Sequence, residues 1–283
     1  QNEDAYVIVT GCYAQLDPDA IAAIDGVNLV IGTNNRAKIV ELVEQLESTE
    51  RQINAVRDIM KESNFEEMPL FGNESDKARA FMKIQEGCNN YCSFCIIPYT
   101  RGKLKSRKIE DIVEEAKRLV DHDFHEIVLT GIHLGNYGVE LPGRPTLADV
   151  VKALLEIPEL YRIRFGSIES VEVSDELVEL MATDKRVCPN LHLPLQAGSD
   201  HVLQLMRRHY TLQEYKDLIA KLRSRIKDLS ITTDIIAGFP QETDEDFEET
   251  LNTVREIGFT HIHAFPYSIR EGTPAATMPD QVP

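Results

Sequence analysis

Three of the chain's five cysteines lie within one short stretch, as Cys88, Cys92 and Cys95. Thiolates spaced C-x3-C-x2-C can converge on one inorganic centre, because the thiolate is the metal-binding form of cysteine and one turn of chain carries all three. The three are too close together to act as long-range disulfide cross-links. The spacing therefore predicts a site for a metal or an iron–sulfur cluster.

Two kinds of centre fit three clustered thiols. A structural zinc site needs four protein ligands, and the nearest downstream candidates, His122 and His125, lie beyond or late in the next predicted helix. A four-iron cluster on three thiolates leaves one iron open to a ligand that is not protein. Open coordination is typical of catalytic sites, so the spacing favours the cluster. An iron–sulfur electron carrier and a zinc-stapled interaction module remain alternatives.

The composition limits the class of protein. The formal net charge is -17, which argues against indiscriminate nucleic-acid binding, since that requires a dense positive field. No run of about 18 apolar residues and no signal-type start is present, which predicts a cytoplasmic protein without a membrane contact. Five basic residues follow the cysteines: Arg101, Lys103, Lys105, Arg107 and Lys108. They form either a local basic surface or an ordinary solvated face.

From Phe81 onward, apolar strands alternate with amphipathic helices. The pattern predicts strands near 81–86, 125–131, 162–169, 190–196, 230–237 and 260–266. It predicts helices near 108–121, 145–156, 174–183, 199–223 and 243–257. Six such units predict a parallel sheet, either doubly wound or partly closed into a barrel. Several strands end in glycine, small or polar residues, which favours the barrel, where chemistry gathers at the carboxyl ends of strands.

The chain before Phe81 has a different pattern. "AYVIVTG" and "VNLVIGT" predict strands, while "PDAIAAI" and "NNRAKIVELVEQLES" predict helices. The segment that follows is polar with isolated apolar anchors. The predicted organisation is therefore a small α/β fragment over residues 1–46, a connector over 47–80 and a large α/β domain over 81–283.

The cysteine motif, with Phe94 just before its third cysteine, resembles that of the radical S-adenosylmethionine superfamily. "GCNNYCSFCIIPYTRG", "VLTGIHLGNYG", "LHLPLQAGSDHVLQLMRRHYT" and "TTDIIAGFPQETDEDF" are similar to segments of the methylthiotransferases, and most to the MtaB-type enzymes. The resemblance implies a partial (β/α)6 TIM-like radical-SAM barrel, preceded by a fragment of a small α/β methylthiotransferase N-terminal domain. It also implies a TRAM domain, which the 283 residues do not contain.

The resemblance implies two [4Fe-4S] clusters and S-adenosyl-L-methionine as cofactors. Cys88, Cys92 and Cys95 would hold the cluster whose electron cleaves S-adenosylmethionine to a 5′-deoxyadenosyl radical. Cys12, in the turn "TGCYAQ", would be one ligand of the auxiliary cluster, whose other two cysteines are expected upstream of residue 1. Cys188 is expected to be an inert, partly buried thiol.

The implied activity converts N6-threonylcarbamoyladenosine at tRNA position 37 to its 2-methylthio form, in a monomeric cytoplasmic enzyme. The alternatives within the family are methylthiolation of N6-isopentenyladenosine-37 or of a ribosomal protein. The expected partners are the tRNA anticodon loop and an external electron donor such as flavodoxin or ferredoxin. The residues expected to meet anticodon-loop phosphates are Arg101, Lys103, Lys105 and Arg107.

Contacts to S-adenosylmethionine are hypotheses, since no residue beyond the cluster ligands can be assigned a catalytic role. Glu169 would accept bonds from ribose hydroxyls, one arginine would pair with the methionine carboxylate, and a glycine would allow close approach to adenine. For His192 a core position is expected. The full set of candidate cofactor contacts is Phe94, Gly131, Ser167, Glu169, Gln196, Arg207, Arg208, Asp234 and Gly238.

Overall fold

A computed structural model describes residues 5–49, 51–68 and 79–282. Its strands are β1 (Val7–Thr10), β2 (Val27–Ile31), β3 (Ile53–Asn54), β4 (Ala80–Lys83), β5 (Gln85–Glu86), β6 (Lys105–Ser106), β7 (Glu126–Thr130), β8 (Arg162–Phe165), β9 (Asn190–His192), β10 (Ser230–Ala237) and β11 (His261–Pro266). None of the described helices is long and apolar enough to cross a membrane.

The α-helices of the described residues alternate with these strands, because their apolar residues recur at helical spacing. They are α1 (Cys12–Leu16), α2 (Pro18–Ala22), α3 (Ile39–Thr49), α4 (Ile97–Arg101), α5 (Ile109–Asp121), α6 (Leu147–Leu155), α7 (Asp175–Thr183), α8 (Asp200–Leu205), α9 (Leu212–Arg225) and α10 (Asp244–Ile257).

Six parallel strands form the centre of the larger part of the chain. β4, β7 and β8 pair in that order, as do β9, β10 and β11. A parallel bridge between Ser167 and His192 connects the two sets. The six strands therefore follow one another in chain order, which confirms the predicted parallel α/β arrangement.

Alternation along the strands separates the helix-packed face from the opposite one. Leu191, Leu193 and Leu195 are fully buried in the main core, with residues of α5, α6 and α9. His192 and Gln196 are only partly buried on the other face. This alternation leaves the polar side chains of His192 and Gln196 available to a site.

A separate small sheet, β1-β2-β3, is formed by the first residues of the chain. Its third strand lies beyond residue 46, because Ile53 pairs with Leu29 of β2. The sheet therefore includes part of the predicted connector. Residues 69–78 of that connector lie outside the described residues.

The prediction of one continuous helix near residues 199–223 is wrong. The segment 199–223 forms α8 and α9, separated by residues 206–211. Arg207 has a left-handed backbone with φ 58°, and the Thr211 side chain accepts a hydrogen bond from Glu214 N to begin α9. The break between these helices turns Arg208 inward.

Candidate functional site

The three clustered cysteines lie in a loop, residues 87–96, between β5 and α4. Gly87 opens this cysteine loop with φ 76°, and a Cβ there would lie 1.9 Å from the carbonyl oxygen of Lys103. Only glycine adopts this conformation at so close an approach. The next residue, Cys88, donates its backbone N–H to Gly102 O at 3.1 Å, which begins the loop.

Hydrogen bonds between neighbouring residues hold the cysteine loop in shape. Cys95 N donates to Cys92 O at 3.0 Å, and Asn90 N donates to the Cys88 sulfur at 3.4 Å. Ser93 attaches the loop to α8: its N–H donates to Met206 O at 3.1 Å and its hydroxyl to Leu205 O at 2.7 Å. The loop is therefore positioned by the same turn that carries Arg208.

All three cysteines line one cavity of about 260 Å³. Six of the predicted cofactor contacts line it as well: Phe94, Ser167, Glu169, Gln196, Arg208 and Asp234. Phe94 belongs to the cysteine loop, Arg208 to the turn between α8 and α9, and the others to β10 or to the segments that follow β8 and β9, so the parallel topology brings them together.

Three predicted contacts do not line this cavity. Gly131 packs against Gln85, whose Oε1 would lie 2.8 Å from an added Cβ. Arg207 is exposed, and the N–H of Gly238 donates to Glu242. Since the structure gives each of them another environment, their role in cofactor binding stays a prediction.

Arg208 is the buried cation of the cavity. Its side chain is 3% exposed, its Nη1 donates to the Cys92 sulfur at 3.3 Å, and it forms an ion pair with Glu169. The guanidinium carbon lies 5.2 Å from the centroid of the Tyr210 ring. Burial opposes the charged form, but Tyr210 and Glu169 outweigh it and raise the Arg208 pKa. The cavity therefore contains a permanent positive charge beside a thiol.

His133 is a cavity residue that the sequence did not single out. It is 3% exposed, and its Nδ1 lies 3.6 Å from the Cys88 sulfur while its Nε2 pairs with Glu172. Burial lowers its pKa, but Cys88 and Glu172 outweigh burial and raise the pKa to about 10. The sequence signal that could have identified His133 is its position in "TGIH", just after β7, at the carboxyl end of a strand.

The donor set fits an iron–sulfur cluster better than a single metal ion. Sulfurs on one tetrahedral zinc lie about 3.8 Å apart, given Zn–S bonds of about 2.3 Å. The sulfurs of Cys88, Cys92 and Cys95 do not all lie within 4.8 Å of one another. Burial raises the pKa of Cys92, and that of Cys95 to about 11, so binding of iron as thiolates would release protons.

Cys12 begins α1, beside the helix that follows the cysteine loop. Arg101, the last residue of α4, donates from Nε to the Cys12 sulfur at 3.2 Å and from Nη1 to Glu86 at 2.8 Å. One arginine of α4 thus contacts both α1, which follows β1, and β5, which precedes the cysteine loop. Cys188 is buried and outside the cavity-lining set.

The structure gives different environments to the four basic residues that were expected to meet RNA. Lys105 is 2% exposed, and its Nζ donates to Arg101 O. Arg107 is 5% exposed between Glu67 and Glu115. Both are paired inside the protein, because a buried cation needs partners that replace water. The Arg101 guanidinium is paired with Glu86 and Cys12, although its side chain is 24% exposed. Lys103 is exposed.

The sequence profile of the Radical SAM superfamily matches residues 82–254, more than half of the chain. The chain belongs to the radical SAM superfamily. The matched range contains the cysteine loop and the strands whose ends line the cavity. The radical SAM match therefore coincides with the site that the structure assembles.

Two curated relatives align with the whole of this radical SAM chain. Threonylcarbamoyladenosine tRNA methylthiotransferase MtaB of Bacillus subtilis (strain 168) is 44% identical over 284 residues. The tRNA-2-methylthio-N(6)-dimethylallyladenosine synthase of Carboxydothermus hydrogenoformans is 38% identical over 287 residues. The chain spans 62% and 64% of the lengths of these relatives, respectively.

Two solved structures share the fold. The methyltransferase TsrM from Kitasatospora setae, with cobalamin and a [4Fe-4S] cluster bound, has a TM-score of 0.58 at 15% identity. The alignment covers 70% of this chain and 38% of TsrM. Methylornithine synthase (PylB) has a TM-score of 0.51 at 18% identity, covering 72% of this chain and 57% of PylB.

Proposed function

We propose that this chain is the radical SAM portion of a tRNA methylthiotransferase that converts N6-threonylcarbamoyladenosine-37 to its 2-methylthio derivative. The 44% identity to the Bacillus subtilis MtaB enzyme over the whole chain carries the proposal. The cavity lined by Cys88, Cys92 and Cys95 supports it, since this chemistry requires a cluster with one open iron. The dimethylallyladenosine-type activity is the second candidate, because relatives of that name are up to 42% identical.

The side chains of the cavity have distinct proposed roles. Cys88, Cys92 and Cys95 hold a [4Fe-4S] cluster, which supplies one-electron reduction of S-adenosylmethionine when both are bound. Arg208 presents a fixed positive charge for the methionine carboxylate. Glu169 and Ser167 follow the same strand, where the carboxylate accepts hydrogen bonds from the ribose hydroxyls and the serine hydroxyl donates one. Phe94, Gln196 and Asp234 complete the pocket.

The finer architecture is part of the same proposal. The six parallel strands are a partial (β/α)6 barrel, and the small sheet is a fragment of an N-terminal domain. Cys12 is one ligand of an auxiliary cluster, which is supported by the Arg101 bridge between α1 and α4. The remaining auxiliary cysteines and a TRAM domain are proposed for the longer protein.

The proposed tRNA partner rests on the names of the curated relatives, and the proposed electron donor on the need to reduce the cluster. The anticodon loop of tRNA is the substrate, with Lys103 as the exposed cation beside the cysteine loop. An external donor such as flavodoxin or ferredoxin provides electrons to a monomeric, cytoplasmic enzyme.

The first experiment is anaerobic reconstitution with iron and sulfide, followed by dithionite, S-adenosylmethionine and an assay for 5′-deoxyadenosine. Production is expected in the parent chain and in Cys188→Ala, the matched buried cysteine, but not in Cys92→Ala. A cluster that loads without cleaving S-adenosylmethionine would indicate an electron carrier instead. Stoichiometric zinc without iron would overturn the proposal.

The substrate is tested separately, with the complete enzyme. Its tRNA substrates would carry either threonylcarbamoyladenosine or isopentenyladenosine at position 37, and mass spectrometry would detect the 2-methylthio product. Methylthiolation of the first tRNA alone is expected. Reaction of the second alone would favour the dimethylallyladenosine-type activity.

A further inference from the structure

Two histidines and an aspartate from three neighbouring strands meet on one face of the sheet. They are His192 at the end of β9, Asp234 in β10 and His263 in β11. One ligand atom from each lies within 4.8 Å of the others, and among the described residues no second group of this kind is found. The arrangement is separate from the three cysteines, although Asp234 also lines their cavity.

The register of the parallel strands brings these residues together. Asp234 is paired with His263, and Thr232 is paired with His192. Residues two apart on a strand share a face, so Thr232 and Asp234 project to the side on which the histidines lie. The buried residues Thr233 and Ile235 project to the other side. The cluster is therefore built by regular strands and not by a flexible loop.

Hydrogen bonds orient the first histidine toward the carboxylate. Its Nδ1 lies 2.9 Å from the Thr232 hydroxyl and its Nε2 lies 3.1 Å from Asp234 Oδ2. The His263 ring is 5.8 Å from the His192 ring and 4.5 Å from that of His261. A histidine ligand of a metal typically makes such a bond with its second nitrogen, which sets the ring orientation and the tautomer.

The donor types suit a divalent transition metal. Imidazole nitrogens and a carboxylate oxygen form a set that binds zinc and its neighbours, and three protein ligands leave a further position for water or another molecule. The side chains of His192 and Asp234 are 18% and 29% exposed, and His263 is exposed, so an ion can reach the site from solvent. The carboxylate provides the negative charge that a divalent cation requires.

We propose that His192, Asp234 and His263 form a mononuclear site for a divalent transition-metal ion such as Zn²⁺, distinct from the proposed iron–sulfur centre. The site shares Asp234 with the proposed S-adenosylmethionine pocket, but it rests on the strand register and on the donor set and not on the proposed function. His261 lies outside the ligand set, although it is on the same strand and contacts the His263 ring. It is therefore the matched control.

The test uses Co²⁺ as a spectroscopic probe in the full chain carrying Cys88→Ser, Cys92→Ser and Cys95→Ser. One equivalent of Co²⁺ is expected to give visible bands without sulfur-to-cobalt charge transfer. Asp234→Asn and His263→Ala should each weaken binding by at least about tenfold, whereas His261→Ala should not. Equal binding by the parent and both ligand variants, or no bound Co²⁺ in the parent, would overturn the site.

A second measurement keeps the test valid if the thiol-free chain does not fold. The chain with its natural cysteines is loaded with Zn²⁺ and its metal content is determined. Asp234→Asn and His263→Ala are each expected to hold one equivalent fewer than the parent, while His261→Ala holds the same amount. Identical zinc content in all four proteins would overturn the site.

Discussion

At the scale of the residue, two adjacent arginines have opposite environments. Arg208 is buried against Cys92 and Glu169, whereas Arg207 is exposed. The left-handed backbone of Arg207 reverses the chain direction and separates the two side chains. Burial of an arginine is tolerated only where partners replace its lost hydration. Glu169 and the Cys92 sulfur supply those contacts.

Arg208→Gln is expected to destabilise the cluster-free protein by about 3 kcal/mol, because Glu169 is left half-buried without its ion-pair partner. Arg207→Gln is expected to change the free energy of unfolding by no more than about 0.5 kcal/mol. Urea unfolding followed by circular dichroism measures both. Similar losses for the two variants would contradict the environments described for them.

At the scale of the element, the first turn of α10 is held by one carboxylate. Asp246 and Thr243 form a capping box, and Asp246 also accepts hydrogen bonds from Ser199 Oγ at 2.5 Å and His201 Nδ1 at 2.9 Å. Burial raises the pKa of Asp246, but these donors outweigh it and lower the pKa far below its ordinary value. The cap thus joins α8 to α10.

The stability supplied by Asp246 should depend on pH. Its folded-state pKa lies below the unfolded value of about 3.9, so the contribution is complete above about pH 4 and is lost as the pH falls toward the folded pKa. Asp246→Asn should cost about 1 to 2 kcal/mol at neutral pH and flatten the acid limb of the stability curve. Urea unfolding over a pH series tests this. Asp244→Asn, an exposed residue of the same turn, should leave that limb unchanged.

Glycine is required at the start of the cysteine loop for a steric reason beyond its backbone angle. Gly87 and Gly143 have φ of 76° and 77°, but an added Cβ meets Lys103 O at 1.9 Å only in the first. Gly143→Ala should cost about 1 kcal/mol from backbone strain alone. Gly87→Ala should cost more and displace the cysteines. Thermal unfolding compares the two, and equal melting temperatures would contradict the close approach.

At the scale of the whole molecule, one buried carboxylate joins the small sheet to the larger part. Glu86 is 4% exposed and pairs with Arg36, Lys83 and Arg101. Burial raises the Glu86 pKa, but Lys83 and Arg101 outweigh it and keep the carboxyl ionised. Since Arg36 follows β2 and Arg101 reaches Cys12, these contacts join the two parts of the chain.

Glu86→Gln is expected to loosen the small sheet, because three cations lose their shared partner. Amide hydrogen exchange in β2 should become faster, while exchange in β7 and β10 should change little. Glu126→Gln is the control, since the arginine partners of Glu126 lie on β8 and just before β4. Unchanged exchange in β2 of Glu86→Gln would show that apolar packing alone joins the two parts.

Much of the element order could be predicted from the sequence. Alternation along "SITTDIIA" and helical spacing in "IEDIVEEAKRLVD" are local properties, and β10 and α5 form where these patterns predict them. The start of α9 had a local signal, the T-x-x-E pattern of Thr211 and Glu214, whereas the contacts of Arg208 with Cys92 and Glu169 involve other parts of the chain. Short-range periodicity contains no information about such contacts.

The sequence by itself determined the cysteine triad and the strands that carry the site, since spacing and periodicity are properties of neighbouring residues. Only the tertiary structure decided which basic residues remain accessible: Lys105 and Arg107 are buried, whereas Lys103 is not. It also decided that His133 contacts Cys88. The physical reason is that burial and strand register depend on packing between distant segments, which local patterns do not specify.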